Sequence, residues 1–451
     1  METGRFYGRR RKESSSDDSD DESIEPPQHE TSSSDTDSDS DDGTNSRNEG
    51  TLDPQVHSES SASAVLPTVE SNGTDHPHAT ESSWHDVTAK NRGFVCTAQE
   101  QRHYTLVKDG EIEPLDVYKI FLTDEVIDLI ITETNRYFDD TASESPITRC
   151  SKMKDWKPVN AEDIKQFLGI LIVMGLNRQP EIESYWSKNK MYGVEIVKNA
   201  MPRNKFELIL RFLHFADYSQ ADESDRLYKL RPLIQLLSQS FEKYTPDENV
   251  VIDESLVLFR GRTILRQYIP NKKHKYGFKF YKLCSVEGYT WRFRIYTGRG
   301  EASGNLMHSE YITLSLMEGL LREGRTLYVD NYYSSVAVSR LLLEKSTYVC
   351  GTLRKNRKGL PKSVTQAKLK RGEVTGKENS EGIKVVNWKD KRNVLMMTTV
   401  PEHTASKVKT GVKKRGTEIE KPQCILDYNS AKKGVDYSDQ MASYYSPLCK
   451  V

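Results

Sequence analysis

The sequence of 451 residues has little cysteine, and its cysteines show no pairing pattern. The six cysteines stand singly, without a C-x-x-C motif or two histidines at helical spacing, which excludes a recognisable zinc site and argues against a disulfide framework. Long apolar stretches are missing too, since no run approaches about 18 apolar residues and the segment from Met1 to Lys12 contains none. These absences argue against a membrane span and a secretory signal, and they predict an intracellular protein.

Net charge is nearly absent as well, because 66 acidic residues stand against 65 lysines and arginines, for a formal net charge of -1. The charges are nevertheless separated along the chain. Met1 to Lys90 holds 21 acidic and 7 basic residues, whereas Val251 to Val451 holds 37 basic and 19 acidic residues. This asymmetry between an acidic head and a basic tail predicts a polyanionic partner for the basic part.

The acidic head, from Ser14 to about Ser83, consists mainly of Ser, Asp, Glu, Thr and Pro. It cannot bury enough apolar surface to offset the entropy of ordering, so we predict a disordered acidic tail over residues 1–95. Its serines that precede acidic residues are candidate sites for an acid-directed kinase; the alternative is a solvating tail with no specific role. The basic cluster from Arg9 to Lys12 is either a nuclear localisation signal or a chance run.

Between Leu115 and Tyr244 the apolar residues recur at three- and four-residue steps, which indicates helices. Thr123 and Asp124 precede one such run as capping residues, and Pro202 stands near the start of another. We therefore predict an all-helical domain over residues 96–248.

After Pro246 the sequence changes to segments rich in β-branched and aromatic residues, which indicate strands. The predicted order is β-β-β-α-β-α-β, with strands at Val250–Phe259, Gly277–Ser285, Thr290–Thr297, Thr326–Val329 and Thr347–Leu353, and helices at Ser309–Leu321 and Ser335–Glu344. This order predicts an α/β domain with a mixed five-stranded sheet, whose first part spans residues 249–353. Residues 354–423 are basic and glycine-punctuated, with one clear strand pair (383–388 and 393–399), and we predict an insertion there. Residues 424–451 resume the ordered pattern.

Two aspartates stand where a lone surface charge is unexpected. Asp253 interrupts an apolar strand, and Asp330 ends another. Each alone reads as a turn or capping residue, but together they predict ligands for Mg²⁺, because buried carboxylates need a partner and Mg²⁺ prefers oxygen donors. A third carboxylate is expected from a later helix, where Asp436 and Asp439 share one face at i and i+3. Composition does not choose between these two.

Seven blocks of this sequence, in order, resemble the piggyBac-type transposases and the genes derived from them. The blocks are FLGILIVMGLNRQPEIESYW, PRNKFELILRFLHFAD, VIDESLVLFRGR, YIPNKKHKYGFK, YVDNYYSS, VCGTLRKNRKGLP and GVDYSDQM. They lie within a stretch from Leu115 to Met441, which is most of the chain outside the acidic tail. The resemblance implies an RNase H-like (DDE/DDD) catalytic domain, preceded by a helical dimerisation and DNA-binding domain and interrupted by the insertion.

The resemblance also implies cut-and-paste transposition at TTAA targets, double-stranded DNA as the partner, a homodimer and a nuclear location. Matched residue by residue, Asp253, Asp330 and Asp436 fall on the family's catalytic aspartates, and Asp439 falls on a nearby acidic position. Two Mg²⁺ ions held by the three aspartates would support phosphodiester hydrolysis and strand transfer by in-line displacement.

Basic and amide side chains around these aspartates are candidate nucleic-acid contacts, because arginine and lysine position DNA through its phosphates. They are Arg260, Arg262, Lys272, Lys273, Lys275, Asn331, Arg354, Lys355 and Arg357. The alternative for any single lysine here is a solvated charged loop.

The resemblance is incomplete at the C-terminal end. Family members continue past the GVD helix with further helices and usually a cysteine-rich zinc-binding domain, whereas this sequence stops ten residues after Met441. Residues 424–451 are therefore expected to be a truncated end of the catalytic domain. Two hypotheses follow: a DNA transposase core, or a domesticated or truncated nuclear DNA-binding protein without transposition activity.

Overall fold

The computed structural model describes residues 84–97, 111–144, 147–220, 222, 224–270, 275–298, 305–414 and 416–446. The stretch from Met1 to Ser83 lies outside these residues. Its predicted disorder, the basic cluster at Arg9 to Lys12 and the kinase sites therefore stay predictions.

The regular secondary structure described between residues 111 and 244 consists of helices joined by loops. Its helices are α1 (Pro114–Phe121), α2 (Asp124–Glu144), α3 (Ala161–Leu176), α4 (Glu195–Ala200), α5 (Arg203–Phe212) and α6 (Arg231–Glu242), with 3-10 turns at Lys152–Asp155, Ile182–Trp186 and Tyr218–Gln220. Helix α3 begins with a capping box in which Asn160 and Asp163 each accept a hydrogen bond from the other's backbone N–H. Its buried Ile164, Phe167 and Ile170 belong to the same apolar core as the buried Val126 and Ile130 of α2.

All five predicted strands are present. They are β2 (Asn249–Leu258), β4 (Tyr276–Ser285), β5 (Thr290–Ile295), β6 (Thr326–Val329) and β7 (Tyr348–Thr352), and they are accompanied by β1 (Trp84–Asp86), the short β3 (Gln267–Tyr268), α7 (His308–Met317) and α8 (Val336–Leu343). The five lie side by side in the order β5-β4-β2-β6-β7. Strands β2, β6 and β7 are mutually parallel, and β4 is antiparallel to β2 and β5.

The two faces of this sheet follow from the alternation of side chains along each strand. Val250 and Ile252 pack in one core with Ile312 of α7 and Val338 of α8. Val251 packs on the opposite face, in a core that also holds residues of the last two helices, α10 (Gln423–Ala431) and α11 (Gly434–Tyr444). The sheet is therefore covered by helices on both faces.

The sheet is wider than the five strands predicted, because the segment predicted as an insertion continues it. Strands β8 (Val374–Asn379), β9 (Lys384–Lys389) and β10 (Asn393–Thr398) follow the short helix α9 (Lys362–Thr365), and β10 pairs with β7. Strands β11 (Lys407–Lys414) and β12 (Thr417–Pro422) form a separate hairpin. Only β9 and β10 were predicted. The others were missed because their lysines, glutamates and threonines obscure the apolar alternation that marks a strand.

The predicted boundary of the acidic tail at residue 95 is wrong for the residues that the structure describes. Trp84 to Asp86 forms the edge strand β1, which pairs with β8. Trp84 is buried, and the fully buried carboxylate of Glu378 accepts a hydrogen bond from Lys90 at 2.5 Å. Residues 84–97 thus belong to the folded part, because a buried aromatic side chain and an ion pair to a buried carboxylate outweigh the polar composition around them.

The described helices include none that is both long and apolar enough to cross a lipid bilayer.

Candidate active site

Asp253 lies on β2, and Asp330 directly follows β6, the neighbouring parallel strand. In the register of β2 and β6, Ile252 is opposite Val329, so the residues that follow them continue the pairing as β6 ends. Paired strands lie about 4.8 Å apart, which makes the two aspartates neighbours. Both are half-buried. The strand order therefore places these two carboxylates at neighbouring positions of the sheet.

The turn after β6 fixes Asp330. Its Oδ1 accepts a hydrogen bond from the backbone N–H of Tyr332 at 2.8 Å, and its carbonyl oxygen accepts one from the N–H of Ser334 at 3.2 Å. Burial raises the pKa of Asp330; the hydrogen bond from Tyr332 opposes this, and the negative charge of Glu254 adds to it. The ionised form of Asp330 is therefore costly unless a cation is near.

Tyr428 of α10 interacts electrostatically with both aspartates. Burial raises the pKa of Tyr428, and the negative charges of Asp330 and Asp253 raise it further. Helices α10 and α11 cover the same face of the sheet. The negative charges of Asp253 and Asp330 therefore act on the face of the sheet that also carries α11 with Asp436.

Helix α11 carries the two remaining candidate carboxylates, and close packing sets its place on the sheet. A Cβ at Gly434 would lie 2.3 Å from the carbonyl oxygen of Ser285, so only glycine allows the helix to start this near β4. Val435 and Ser438 are buried against the sheet, whereas Asp436 is exposed.

Asp439, and not Asp436, makes the direct contacts with the strands. Its Oδ1 accepts hydrogen bonds from Ser255 Oγ at 2.6 Å and from Lys282 Nζ at 2.7 Å. Ser255 lies two residues after Asp253 and so projects to the same face of β2. Asp439, which the resemblance implies as an auxiliary residue, is therefore hydrogen bonded to the sheet. Asp436, which the resemblance implies as a catalytic residue, faces solvent.

The carboxylates of Asp253 and Asp330 suit a divalent cation, but they do not form a complete set of metal ligands. Asp253 and Asp330 offer oxygen donors, and Glu254 adds a third negative charge that is paired with Lys279 at 2.6 Å. Within the described parts of the chain, however, no three His, Cys, Asp or Glu side chains are grouped to hold a metal ion. The strand pair fits the predicted metal, and Asp436 is not brought to it in this structure.

Three of the predicted nucleic-acid contacts meet at the turn that follows β6. Arg354 Nε donates to Asn331 Oδ1 at 2.9 Å, and Arg357 Nη2 donates to the carbonyl oxygens of Asn331 and Tyr332. Arg357 is half-buried, and burial followed by the charge of Arg354 lowers its pKa. Arg357 thus supports the turn that holds Asp330, while Lys355 remains exposed.

The other predicted cations lie farther from the aspartates. Arg260 and Arg262 are exposed beyond the end of β2, and that end is about 16 Å from Asp253 at roughly 3.3 Å per strand residue. Lys275 is exposed just before β4, whereas Lys272 and Lys273 lie outside the described residues.

Comparison with known proteins gives one consistent family. A family model described as Transposase IS4 matches residues 113–451, which is most of the chain. The chain belongs to the piggyBac-type transposase family.

Curated relatives in this family include two human proteins. The chain is 29% identical over 376 residues to human PiggyBac transposable element-derived protein 3, covering 80% of this chain and 60% of that protein. It is 27% identical to human PiggyBac transposable element-derived protein 2, covering 76% and 58%. The chain therefore spans about three fifths of the length of these relatives.

One solved structure in the family is the piggyBac transposase synaptic complex with hairpin DNA, determined by electron cryo-microscopy. It superimposes with a TM-score of 0.65 at 26% identity, covering 76% of this chain and 70% of that one. The mixed α/β architecture with its large sheet is thus similar to that of a piggyBac transposase.

Sequence reasoning missed Lys282 and Ser255, which hold Asp439. The available signal was the position of Lys282 in β4 between the apolar residues Tyr281 and Leu283. A lysine within an apolar strand needs a partner when buried, just as an aspartate does.

Proposed function

We propose that this chain is the core of a DNA transposase, which cuts and rejoins phosphodiester bonds by a cut-and-paste route at TTAA targets. The observation that carries the proposal is that Asp253 and Asp330 directly follow Ile252 and Val329, which are paired on two neighbouring parallel strands. Membership of the transposase family supports the reaction class. The chain matches 60% of the length of human PiggyBac transposable element-derived protein 3, so the activity of a whole transposase has to be tested by experiment.

The arrangement of the sheet supports an RNase H-like catalytic domain. Numbered along the chain, the five strands β2, β4, β5, β6 and β7 take the spatial order 3-2-1-4-5. The first and fourth of them carry Asp253 and Asp330, and a carboxylate from α11 would be the third ligand. By resemblance that ligand is Asp436.

The predicted cofactor is Mg²⁺, held by Asp253, Asp330 and Asp436. Two such ions would supply activation of a water or a 3′-hydroxyl and stabilisation of the leaving oxygen in an in-line displacement. The chain itself orients the ligands: the N–H of Tyr332 fixes the Asp330 carboxylate, and Arg357 braces the same turn. Side-chain nucleophiles are not needed for this chemistry.

Double-stranded DNA is the proposed partner, and the nucleus is the proposed location. Support comes from the basic excess of Val251 to Val451 and from the similarity to a transposase solved with hairpin DNA. The exposed Arg260, Arg262 and Lys355 would contact phosphates without reading sequence. A homodimer is proposed from the resemblance alone.

The test is Mg²⁺-dependent cleavage of a hairpin or TTAA-flanked duplex by the purified chain at low salt. Asp330→Asn should abolish cleavage and leave DNA binding intact, whereas Asp139→Asn, at an exposed position of α2, should cleave as the wild type does. Unchanged cleavage by Asp330→Asn would refute the assignment.

A second function is favoured by one observation, the exposure of Asp436 while Asp439 is engaged by Lys282 and Ser255. A transposase-derived protein that binds DNA without cutting it has no need to gather three carboxylates. Salt-sensitive DNA binding without any Mg²⁺-dependent cleavage by the wild type would select this function.

A further inference from the structure

Two exposed tyrosines stand opposite each other beyond the end of β2. Tyr268 of β3 and Tyr276 of β4 are Cα partners in the antiparallel register of these strands. Their ring centroids are 4.9 Å apart, and the two residues are 56% and 46% exposed. Tyrosine gains most when its ring is covered, so a pair that leaves about half of its surface in solvent offers that surface to a ligand.

The ring of Tyr276 is supported by Arg266. The guanidinium carbon of Arg266 lies 5.2 Å from the centre of this ring, which is within the range of a cation–π interaction. Its Nη1 donates hydrogen bonds to the carbonyl oxygens of Arg260 and Gly261 at 3.0 and 3.1 Å. The tyrosine pair is therefore held in place before any ligand arrives, which lowers the entropic cost of binding.

The arm that carries the tyrosine pair, residues 259–276, is basic. Its described residues, 259–270 and 275–276, include no aspartate or glutamate. They include four exposed cations: Arg260, Arg262, Arg266 and Lys275. Exposed rings bordered by cations suit a strand with unpaired bases, because the bases stack on the rings and the cations bind the phosphates. A duplex keeps its base faces within its own stack and offers this surface only phosphates.

The tyrosine pair lies on the same face of the sheet as Asp253. Phe259 donates its backbone N–H to the carbonyl oxygen of Tyr276 at 3.3 Å, so these two residues are opposite each other. Phe259 comes six residues after Asp253, and side chains an even number of residues apart in a strand project to the same face. Six strand residues span about 20 Å. About six stacked nucleotides cover this distance, so one DNA strand is long enough to contact both places.

We propose that Tyr268 and Tyr276 form a stacking site for the unpaired bases of single-stranded DNA, with Arg260, Arg262 and Lys275 binding the phosphates of that strand. The site goes beyond the cleavage chemistry, and the inference rests on the proposed function only in its choice of DNA as the ligand.

The experiment is equilibrium binding to the full chain, measured by fluorescence anisotropy in EDTA. The probes are a labelled oligothymidine of about 10 nucleotides and a blunt duplex of the same length. Loss of a stacking aromatic side chain typically weakens single-strand binding by about 5- to 150-fold. We expect a loss of this size for oligothymidine in Tyr268→Leu/Tyr276→Leu, with duplex affinity unchanged. Tyr268→Phe/Tyr276→Phe keeps both rings and should bind both probes as the wild type does.

The matched control is another exposed tyrosine pair, at the end of α11. Tyr444 and Tyr445 have ring centroids 6.4 Å apart and are 56% and 64% exposed. Tyr444→Leu/Tyr445→Leu makes the same change of residue types outside the basic arm, and it should leave both affinities unchanged. Thermal melting checks that the variants fold. If the test variant melts early, Tyr268→Leu alone, which keeps Tyr276 on Arg266, gives the same comparison.

Three results would overturn the proposal. The first is oligothymidine affinity equal to that of the wild type in a folded Tyr268→Leu/Tyr276→Leu variant. The second is an equal loss of affinity for both probes, which would assign the tyrosines to the shape of the arm and not to base stacking. The third is tighter binding of oligouridine than of oligothymidine by the wild type, which would make RNA the ligand.

The outcomes separate this inference from the proposed function, because binding in EDTA requires no cleavage. Oligothymidine binding that is weakened in the leucine variant, without Mg²⁺-dependent cleavage by the wild type, would support the stacking site and refute the nuclease. Cleavage that depends on Asp330, with oligothymidine binding unchanged in the leucine variant, would do the reverse.

Discussion

Arg178, which follows the end of α3, donates a hydrogen bond to the carbonyl oxygen of Tyr444 at 3.0 Å and a second one to that of Ser443. These carbonyls belong to the last turn of α11, where a helix leaves acceptors unsatisfied and a cation is favourable. The helical region therefore caps the helix that carries Asp436, and the two parts of the chain share one structural element of the candidate site.

Removal of this cap should loosen α11. Arg178→Ala is expected to lower the free energy of unfolding by about 0.5–1 kcal/mol, because the pair of bonds is exposed to solvent. Urea unfolding measures the change, and Arg149→Ala, at an exposed position before the Lys152–Asp155 turn, is the control. Equal stability of the Arg178 variant and the wild type would show that the cap contributes nothing.

The glycine at the start of α11 should be intolerant of any side chain. Gly434→Ala places a methyl group 2.3 Å from the Ser285 carbonyl oxygen, so it should lower the free energy of unfolding by about 1–3 kcal/mol through overpacking. Gly169→Ala is the matched control, since no atom lies within 4 Å of the added group and the residue is inside α3.

Because alanine favours a helix interior over glycine by about 1 kcal/mol, the control should raise the free energy of unfolding. Denaturant unfolding of the two variants should therefore shift in opposite directions. Gain of stability in both would contradict the close approach of α11 to β4.

The contact between residues 84–97 and the sheet should contribute to stability. Lys90→Met leaves the fully buried Glu378 without its cation, and we expect a loss of about 1–3 kcal/mol, discounted because Lys90 itself is half exposed. Thermal melting compares this variant with Lys119→Met at an exposed position of α1. Identical melting temperatures of the wild type and both variants would show that the Lys90–Glu378 pair contributes nothing to stability.

Two neighbouring cations should affect DNA binding in different ways. Lys355 is exposed, so Lys355→Ala should reduce the slope of log affinity against log salt by about 1. Arg357 binds the carbonyl oxygens of Asn331 and Tyr332, so Arg357→Ala should reduce cleavage and stability while changing the salt slope less. Fluorescence anisotropy across salt concentrations measures both slopes, and equal slopes for the two variants would refute the distinction.

The sequence was sufficient to predict the strand pair and its two aspartates. Strands β2 and β6 have apolar cores, and Asp253 and Asp330 stand out in them because a carboxylate is unexpected there. The rotation of α11 was beyond prediction, since it depends on the packing of Gly434 and Gly288 and on Lys282, all set by tertiary contacts. For the same reason, sequence alone left the choice between Asp436 and Asp439 open.

The central claim is that Asp253 and Asp330 act as one unit in Mg²⁺-dependent DNA cleavage, and a double-mutant comparison tests it most directly. Residues that act together lose function non-additively. Single-turnover cleavage of a TTAA-flanked duplex should fall as far in Asp253→Asn and in Asp330→Asn as in the variant carrying both, with DNA affinity preserved in all three. Cleavage that survives in either single variant, or that falls additively, would contradict the account.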